Sequence, residues 1–323
     1  VNILEKFQTP ILFIAIVTGL LLGNIAFVER YAENFVMPFL FVMLFGVFLN
    51  TPVRDFRRAF RNIKFSVTTV LINFVWTPLL IFLLGKIFLA NSFAMQLGLV
   101  MLMVTPCTDW YLVFTGTAKG NVPLSASVLP VNLILQIVLL PVYLYIMGSV
   151  SGTVNIQAIL SSILFMLIIP FGLAQALKVL LRKFKDEERK EKILSIFTPL
   201  QTILLALAIA AMFASKGNIL LANLNIIAKL LIPIILFYII NFILAQIIGK
   251  VFQYSYENTA SLTLTTIAKN SPMTLGIALM AFPNEPVIHL IMLIEPLIEL
   301  PCMLLITRIL LILRTKNIEV SEE

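Results

Sequence analysis

From Ile11 to Leu313 the sequence is a succession of apolar stretches, most of them as long as a bilayer is thick and parted by short polar breaks. A helix crosses the hydrocarbon core in about 17–25 apolar residues. In lipid every backbone amide and carbonyl must find its partner within the protein. The pattern therefore predicts an all-α integral membrane protein. Spans are expected near residues 9–28, 35–50, 65–90, 93–117, 121–149, 156–181, 193–214, 219–252, 258–283 and 286–313, about ten in number. The second is short enough to be tilted or partly re-entrant.

Composition excludes several function classes. Hydrophobic residues make up 60% of the chain and charged ones 12%, against about 25% charged in soluble domains. With a single histidine, neither a metal centre nor histidine-based catalysis is expected, and no nucleophile–base pair or cofactor motif points to an enzyme. The net charge of +7 does not indicate nucleic acid, because the basic residues lie in short loops between apolar runs. Cys107 and Cys302 fall within apolar segments, which is not the pattern of a disulfide framework. The first apolar stretch, Ile11 to Val28, runs directly into further membrane-like sequence, so no cleaved signal peptide is expected.

The basic loops also orient the chain. Arg54, Arg57, Arg58, Arg61 and Lys64 fall between spans 2 and 3. Lys178, Arg182, Lys183, Lys185, Arg189, Lys190 and Lys192 fall between spans 6 and 7. Arg314 and Lys316 follow span 10, whereas the other side offers little beyond Arg30, Lys86 and Lys216. The excess of Lys and Arg marks the inner side, which places both termini in the cytoplasm and the chain in the cell membrane.

The 178–192 run divides the chain into halves that echo one another. Leu71-Ile-Asn-Phe74 followed by Leu84-Gly-Lys-Ile-Phe88 resembles Ile239-Ile-Asn-Phe242 followed by Ile248-Gly-Lys-Val-Phe252. Leu140-Pro-Val-Tyr-Leu-Tyr-Ile146 resembles Leu300-Pro-Cys-Met-Leu-Leu-Ile306. Five spans per half is an odd number, so the halves, 1–181 and 193–313, enter the membrane from opposite sides as an inverted repeat.

Two polar stretches sit at matching places in these halves: Met103 to Asn121, and Thr263 to Gly276. Pro106 lacks a backbone donor and disfavours helix at Thr105, so span 4 should break there, and Pro272 should break span 9 near Asn270 and Ser271. Asp109 stands beside one break and Lys269 beside the other. Intramembrane charges are costly and mark pathways, and their opposite signs make these two candidates for one another. Cys107, Thr108, Asp109, Thr115, Asn270 and Ser271 are the candidate substrate ligands. Glu295 and Glu299, one turn apart on one face of span 10, join Asp109 and Lys269 as candidate coupling residues with protons as the coupling ion. Cys302 reads as a packing residue and His289 as a loop-end residue near a membrane surface.

The sequence resembles the bile acid:sodium symporter superfamily and, within it, shares features with the arsenite-efflux permeases. Cys107 matches the helix 4 cysteine of the permeases, and Pro296-Leu-Ile-Glu-Leu-Pro-Cys-Met303 resembles their Pro-Leu-Ile-Glu-Val-Pro-Val-Met segment, placing the family glutamate at Glu299. Ala118-Lys-Gly-Asn-Val-Pro-Leu-Ser125 is close to the symporters' Ala-Lys-Gly-Asp-Val-Ala-Leu-Ser. The resemblance implies ten helices in an inverted repeat, with helices 4 and 9 unwound and crossing. It also implies a core of helices 3–5 and 8–10 moving against a panel of helices 1, 2, 6 and 7.

The departures bear on coupling. A Ser-Asn pair that supplies sodium ligands in the symporters is Tyr111-Leu112 here, the helix 9 glutamate is Thr265, and the adjacent glutamine position is Lys269. Ser125 and Thr265 are the residual ion ligands. Pro106 stands where the permeases have an arginine, and Thr274 where helix 9 has a glutamate. The expected function is sodium-independent, proton-coupled efflux of a small solute such as arsenite. The alternatives are uptake of an organic acid, with Lys269 replacing a sodium charge, and, from another class, a passive channel.

Overall fold

The computed structural model describes residues 8–50, 62–108, 110–151, 155–181, 187–222 and 224–322. These residues are helical apart from turns and one isolated bridge. In chain order the helices are α1 (Gln8–Leu22), α2 (Ala26–Asn50), α3 (Ile63–Phe88), α4 (Phe93–Met103), α5 (Trp110–Thr117) and α6 (Val122–Ser151). Then come α7 (Ile156–Ile163, continued through Leu164–Ile168 into Ile169–Leu181), α8 (Glu187–Ala222), α9 (Leu224–Val251), α10 (Tyr256–Ile267), α11 (Ser271–Ala281) and α12 (Pro286–Glu322). Among the described residues, seven helices are long and apolar enough to cross a bilayer, and Pro10–Leu22, Phe93–Met103 and Ser271–Ala281 are shorter apolar segments. Arg54, Arg57, Arg58, Arg61, Arg182, Lys183, Lys185 and Asp109 lie outside the described residues.

The chain divides into two compact units. One comprises the residues through Thr51, Asn155–Ile227 and Pro272–Leu293. Its helices α1 and α8 approach unusually closely, because Gly19 and Gly23 present no side chain. A methyl at Gly23 would lie 2.6 Å from the Ala214 carbonyl oxygen, and one at Gly19 would collide with Ala210. Small residues four apart let membrane helices meet backbone to backbone, where dispersion rather than water exclusion holds them. Edge-on aromatic pairs, Phe45–Phe197 and Phe48–Phe171, tie α2 to α8 and α7.

Two expectations shift in this unit. The second helix begins at Ala26, nine residues before the expected start of span 2. Its first turns carry Glu29, Arg30 and Glu33, which read as a loop in sequence. Glu29 complements the positive helix end, and Glu33 pairs with Lys216 of α8 at 2.8 Å. His289 lies in the first turn of α12, next to the preceding loop, but is interior rather than peripheral: it is 1% exposed and has Nε2 3.2 Å from the Ala278 carbonyl.

The other unit comprises Pro52–Val154, Ala228–Ser271 and the chain from Ile294 onward. Phe65 and Ile72 of α3, Leu124 and Val128 of α6, Ala245 of α9 and Leu262 of α10 form one apolar cluster. Midway, α3 widens into a π turn at Ile72–Trp76, and the Tyr143 hydroxyl donates to the Phe74 carbonyl there at 2.6 Å. Serine caps set two helix starts: Ser92 accepts from Met95 N–H and Ser255 from Asn258 N–H.

The close α1–α8 seam is testable. Gly23→Leu should destabilise the protein by about 1–3 kcal/mol through overpacking, read as a lower unfolding temperature in detergent. Gly172→Ala, where nothing stands within 4 Å, should not lower it.

Candidate functional site

Both expected breaks are present. Helix α4 ends at Met103 and α5 begins at Trp110, while α10 ends at Ile267 and α11 begins at Ser271. Breaking a helix in lipid strands backbone donors and acceptors, and here the two breaks satisfy each other. Thr105–Cys107 runs antiparallel to Ala268–Asn270, with Cys107 N–H donating to Ala268 O at 3.0 Å and Asn270 N–H to Thr105 O at 2.9 Å.

The register explains the proline. Pro106 faces Lys269 as the non-hydrogen-bonded pair of this bridge. Residues of such a pair direct their amides away from the partner strand, so a residue without an N–H fits there at no cost. The Lys269 N–H, pointing outward, is met by a carboxylate: Glu299 Oε1 accepts from it at 2.8 Å. Side chains add a third tie across the crossing, since Asn270 Nδ2 donates to Thr108 Oγ1 at 3.1 Å. The Thr105 hydroxyl turns back onto the Leu102 carbonyl at 2.7 Å and closes the end of α4.

The Lys269 side chain is buried, only 2% exposed. Its ammonium donates to Thr266 O at 3.1 Å and lies 4.9 Å from the centre of the Phe237 ring. Its titratable neighbours are Glu299, Glu295 and Cys107. A desolvated ammonium over an aromatic face is favoured by the ring quadrupole, and the carboxylates balance the charge. Glu295 is fully buried, and its Oε1 accepts from the Tyr238 hydroxyl at 3.2 Å. Its Oε2 is buried without a hydrogen-bond partner among the described residues, with Ser271 and Glu299 close by. Neither Cys107 nor Cys302 is in a disulfide among the described residues, and Cys302 lies near the two glutamates.

The expected residues fall into two sets. Cys107, Thr108, Lys269, Asn270, Ser271, Glu295 and Glu299 gather at the crossing, and all are buried. Thr115, Ser125 and Thr265 belong to another set. The Thr115 hydroxyl is used by its own helix, donating to Tyr111 O at 2.7 Å. Ser125 receives two hydroxyls, Tyr111 on its carbonyl at 3.0 Å and Thr265 on its Oγ at 3.3 Å. Two participants were not legible as such. Tyr238 and Phe237 sit in an apolar run with no signal of their own.

The Ala118-Lys-Gly-Asn121 motif is a clasp. Lys119 adopts φ 58°, and a methyl on Gly120 would lie 2.8 Å from Thr115 Cγ2 and 3.2 Å from Ser261 Oγ. Asn121 then exchanges bonds with α10: its N–H reaches Glu257 O and Ser261 Oγ, and its amide donates to Asn258. Tyr256 donates to Ala118 O at 2.7 Å. The turn after one broken helix thereby fixes the start of the other.

A family model, that of the Sodium Bile acid symporter family, matches residues 37–223. The chain belongs to this family. It is therefore a multi-pass membrane transporter of small molecules and not an enzyme. An uncharacterized transporter of Synechocystis sp. is 23% identical over 95% of this chain and 88% of its own length. The Arsenical-resistance protein Acr3 of Corynebacterium glutamicum is 23% identical over 72% of this chain and 66% of its own length. An uncharacterized Bacillus subtilis protein is 20% identical over 84% and 86%.

In this symporter-family chain Glu299 acts on a backbone amide as well as on a charge, and the two roles separate by mutation. Glu299→Ala leaves the Lys269 N–H unmet and should cost about 1–3 kcal/mol of stability. Glu299→Gln keeps an acceptor oxygen and should cost clearly less in the same unfolding measurement.

Proposed function

We propose that this protein is a sodium-independent, proton-coupled exporter of a small solute of arsenite type, working at the crossing of its two broken helices. The observation that carries the reading is Lys269: its amine is buried at the crossing, where by resemblance the sodium symporters have a glutamine. A fixed positive charge repels sodium at short range. Hard cations need several oxygen ligands, yet Leu112 offers none, and the oxygens of Tyr111, Ser125 and Thr265 are engaged with one another.

On this reading the solute meets Cys107, Thr108, Asn270 and Ser271, and Asp109 supplies a counter-charge to Lys269. Glu295 and Glu299 exchange the coupling protons, two carboxylates beside one ammonium being able to gain and lose a proton without stranding a lone charge. The ten spans form two inverted five-helix repeats, with a core of spans 3–5 and 8–10 and a panel of spans 1, 2, 6 and 7. Both termini face the cytoplasm, and the membrane is the cell membrane. Support for arsenite comes from the position of Cys107, a soft ligand for a thiophilic metalloid, and from the name of the Corynebacterium relative. A second reading, uptake of an organic acid, draws on the same ammonium as a carboxylate anchor beside the Asn270 amide and the Thr108 hydroxyl.

Transport by proteoliposomes should be insensitive to sodium: replacing it with choline at constant pH leaves the initial rate nearly unchanged, and a large drop overturns the coupling assignment. Cys107→Ser should abolish arsenite efflux while the unfolding temperature stays near that of the parent. Arsenite resistance retained by that variant would shift the substrate to the organic-acid reading.

A further inference from the structure

A cavity with polar walls lies in the unit that holds the crossing, at the end of the helices where α9 finishes and α10 begins. It has a volume of about 430 Å³ and is walled by Gln246, Lys250, Gln253, Tyr254, Tyr256 and the apolar Leu313, among others. None of the crossing residues lines it.

Its electrostatics are those of an anion site. Lys250 stands in the wall. Lys64 is held beside it, its ammonium bonded to Phe252 O at 3.0 Å and lying 4.8 Å and 5.6 Å from the Phe252 and Tyr254 ring centres. Arg314 is placed by Tyr256, with its guanidinium carbon 5.9 Å from that ring centre. The nearby acid, Glu257, accepts from its own backbone N–H and the Ser255 hydroxyl and is also felt by Arg314, so one carboxylate stands against three cations. Two of these cations are therefore seated on aromatic rings of the cavity mouth, which removes part of the entropy cost of gathering them on a ligand. A second observation is independent of charge. Tyr254 is part of the wall, and its hydroxyl, shielded from solvent, has no hydrogen-bond partner among the described residues. Buried polar atoms without partners are rare and call for a ligand or water.

The surroundings select the class of anion. Leu313 is part of the wall, and the neighbouring positions on the same helices, Ile247, Val251 and Ile312, are 53%, 69% and 58% exposed, as residues facing lipid are. A polar, cationic cup edged by lipid-facing aliphatics matches a molecule that is phosphate at one end and hydrocarbon at the other. We propose that this cavity binds the phosphate headgroup of an anionic phospholipid, with Lys64, Lys250 and Arg314 as its cations and the Tyr254 hydroxyl as a neutral donor. Under the orientation proposed above it opens to the cytoplasmic leaflet, whose anionic lipids attract basic segments near the surface. The headgroup would brace the start of α10, the helix that ends at the crossing, so the lipid acts as an allosteric support of transport.

The test uses the full chain in nanodiscs of phosphatidylcholine, with or without phosphatidylglycerol, read by unfolding temperature and by the lipid retained in native mass spectrometry. Phosphatidylglycerol should raise the unfolding temperature and be retained in preference to phosphatidylcholine. Lys250→Gln combined with Arg314→Gln should weaken that preference by roughly tenfold, while Lys86→Gln, at the opposite end of α3, leaves it intact. Tyr254→Phe keeps the ring and should weaken retention severalfold, and it carries the test alone if the double variant does not fold. Equal retention of the two lipids, or a preference that survives both the double variant and Tyr254→Phe, overturns the site. An equal loss with Lys86→Gln reduces it to general surface charge. If inorganic phosphate in pure phosphatidylcholine discs reproduces the whole effect, the ligand is a free phosphate and the lipid assignment fails.

Discussion

Two backbone hydrogen bonds, Cys107 to Ala268 and Asn270 to Thr105, hold the chemistry of this transporter together. In water such a bridge would be negligible, because solvent would satisfy the same groups. In hydrocarbon the alternative is a set of bare amides and carbonyls, each costing several kcal/mol by the usual transfer estimates. The two breaks are therefore mutually required. Neither α4 nor α10 could stop where it does unless the other stopped opposite, and restoring one as a continuous helix would leave the other exposed. That interdependence fixes Lys269, Asn270, Cys107 and Thr108 in one place.

Charge is arranged on the same principle. A buried ammonium, two buried carboxylates and a tyrosine hydroxyl form a connected group in which nearly every polar atom has a use. The tie from Glu299 to a peptide N–H means that a change in the carboxylate's protonation alters the hold on the bridge itself. Chemistry at the side chain and geometry at the backbone are linked through one oxygen atom.

Much of this was legible in sequence. Apolar run lengths gave the membrane-spanning class, and Pro106 and Pro272 pointed to both breaks by the polar residues around them, since Pro38, Pro130, Pro141, Pro199, Pro233, Pro296 and Pro301 lie inside unbroken helices. The Glu295–Glu299 spacing placed two carboxylates on one helix face correctly. Other features had no local signal. The start of α2 was hidden because Glu29, Arg30 and Glu33 look like loop residues unless Lys216 is known to lie opposite. His289 reads as peripheral by its position after Pro283-Asn284, and only packing shows it to be interior. Tyr238 and Phe237 are two aromatics in an aliphatic run, and their partners are distant in sequence. The division of Ser125, Thr265 and Thr115 from the crossing residues likewise depends on which hydroxyls bond one another, which periodicity does not report.

The π turn in α3 bears on how this span can change length. A π turn holds one residue more than the α-helical turn it replaces, so the faces before and after Ile72–Trp76 are offset by about 100° from those of a straight helix. Phe65 packs ahead of the wide turn and Ile72 at its first position, whereas Thr77, Leu80, Ile81 and Leu84 are buried beyond it. Tyr143 occupies a carbonyl within the turn. Loss of a single residue here would still leave a helix, but it would rotate the whole second half of α3 relative to its neighbours. Insertions and deletions in this span are thus constrained by rotation rather than by length.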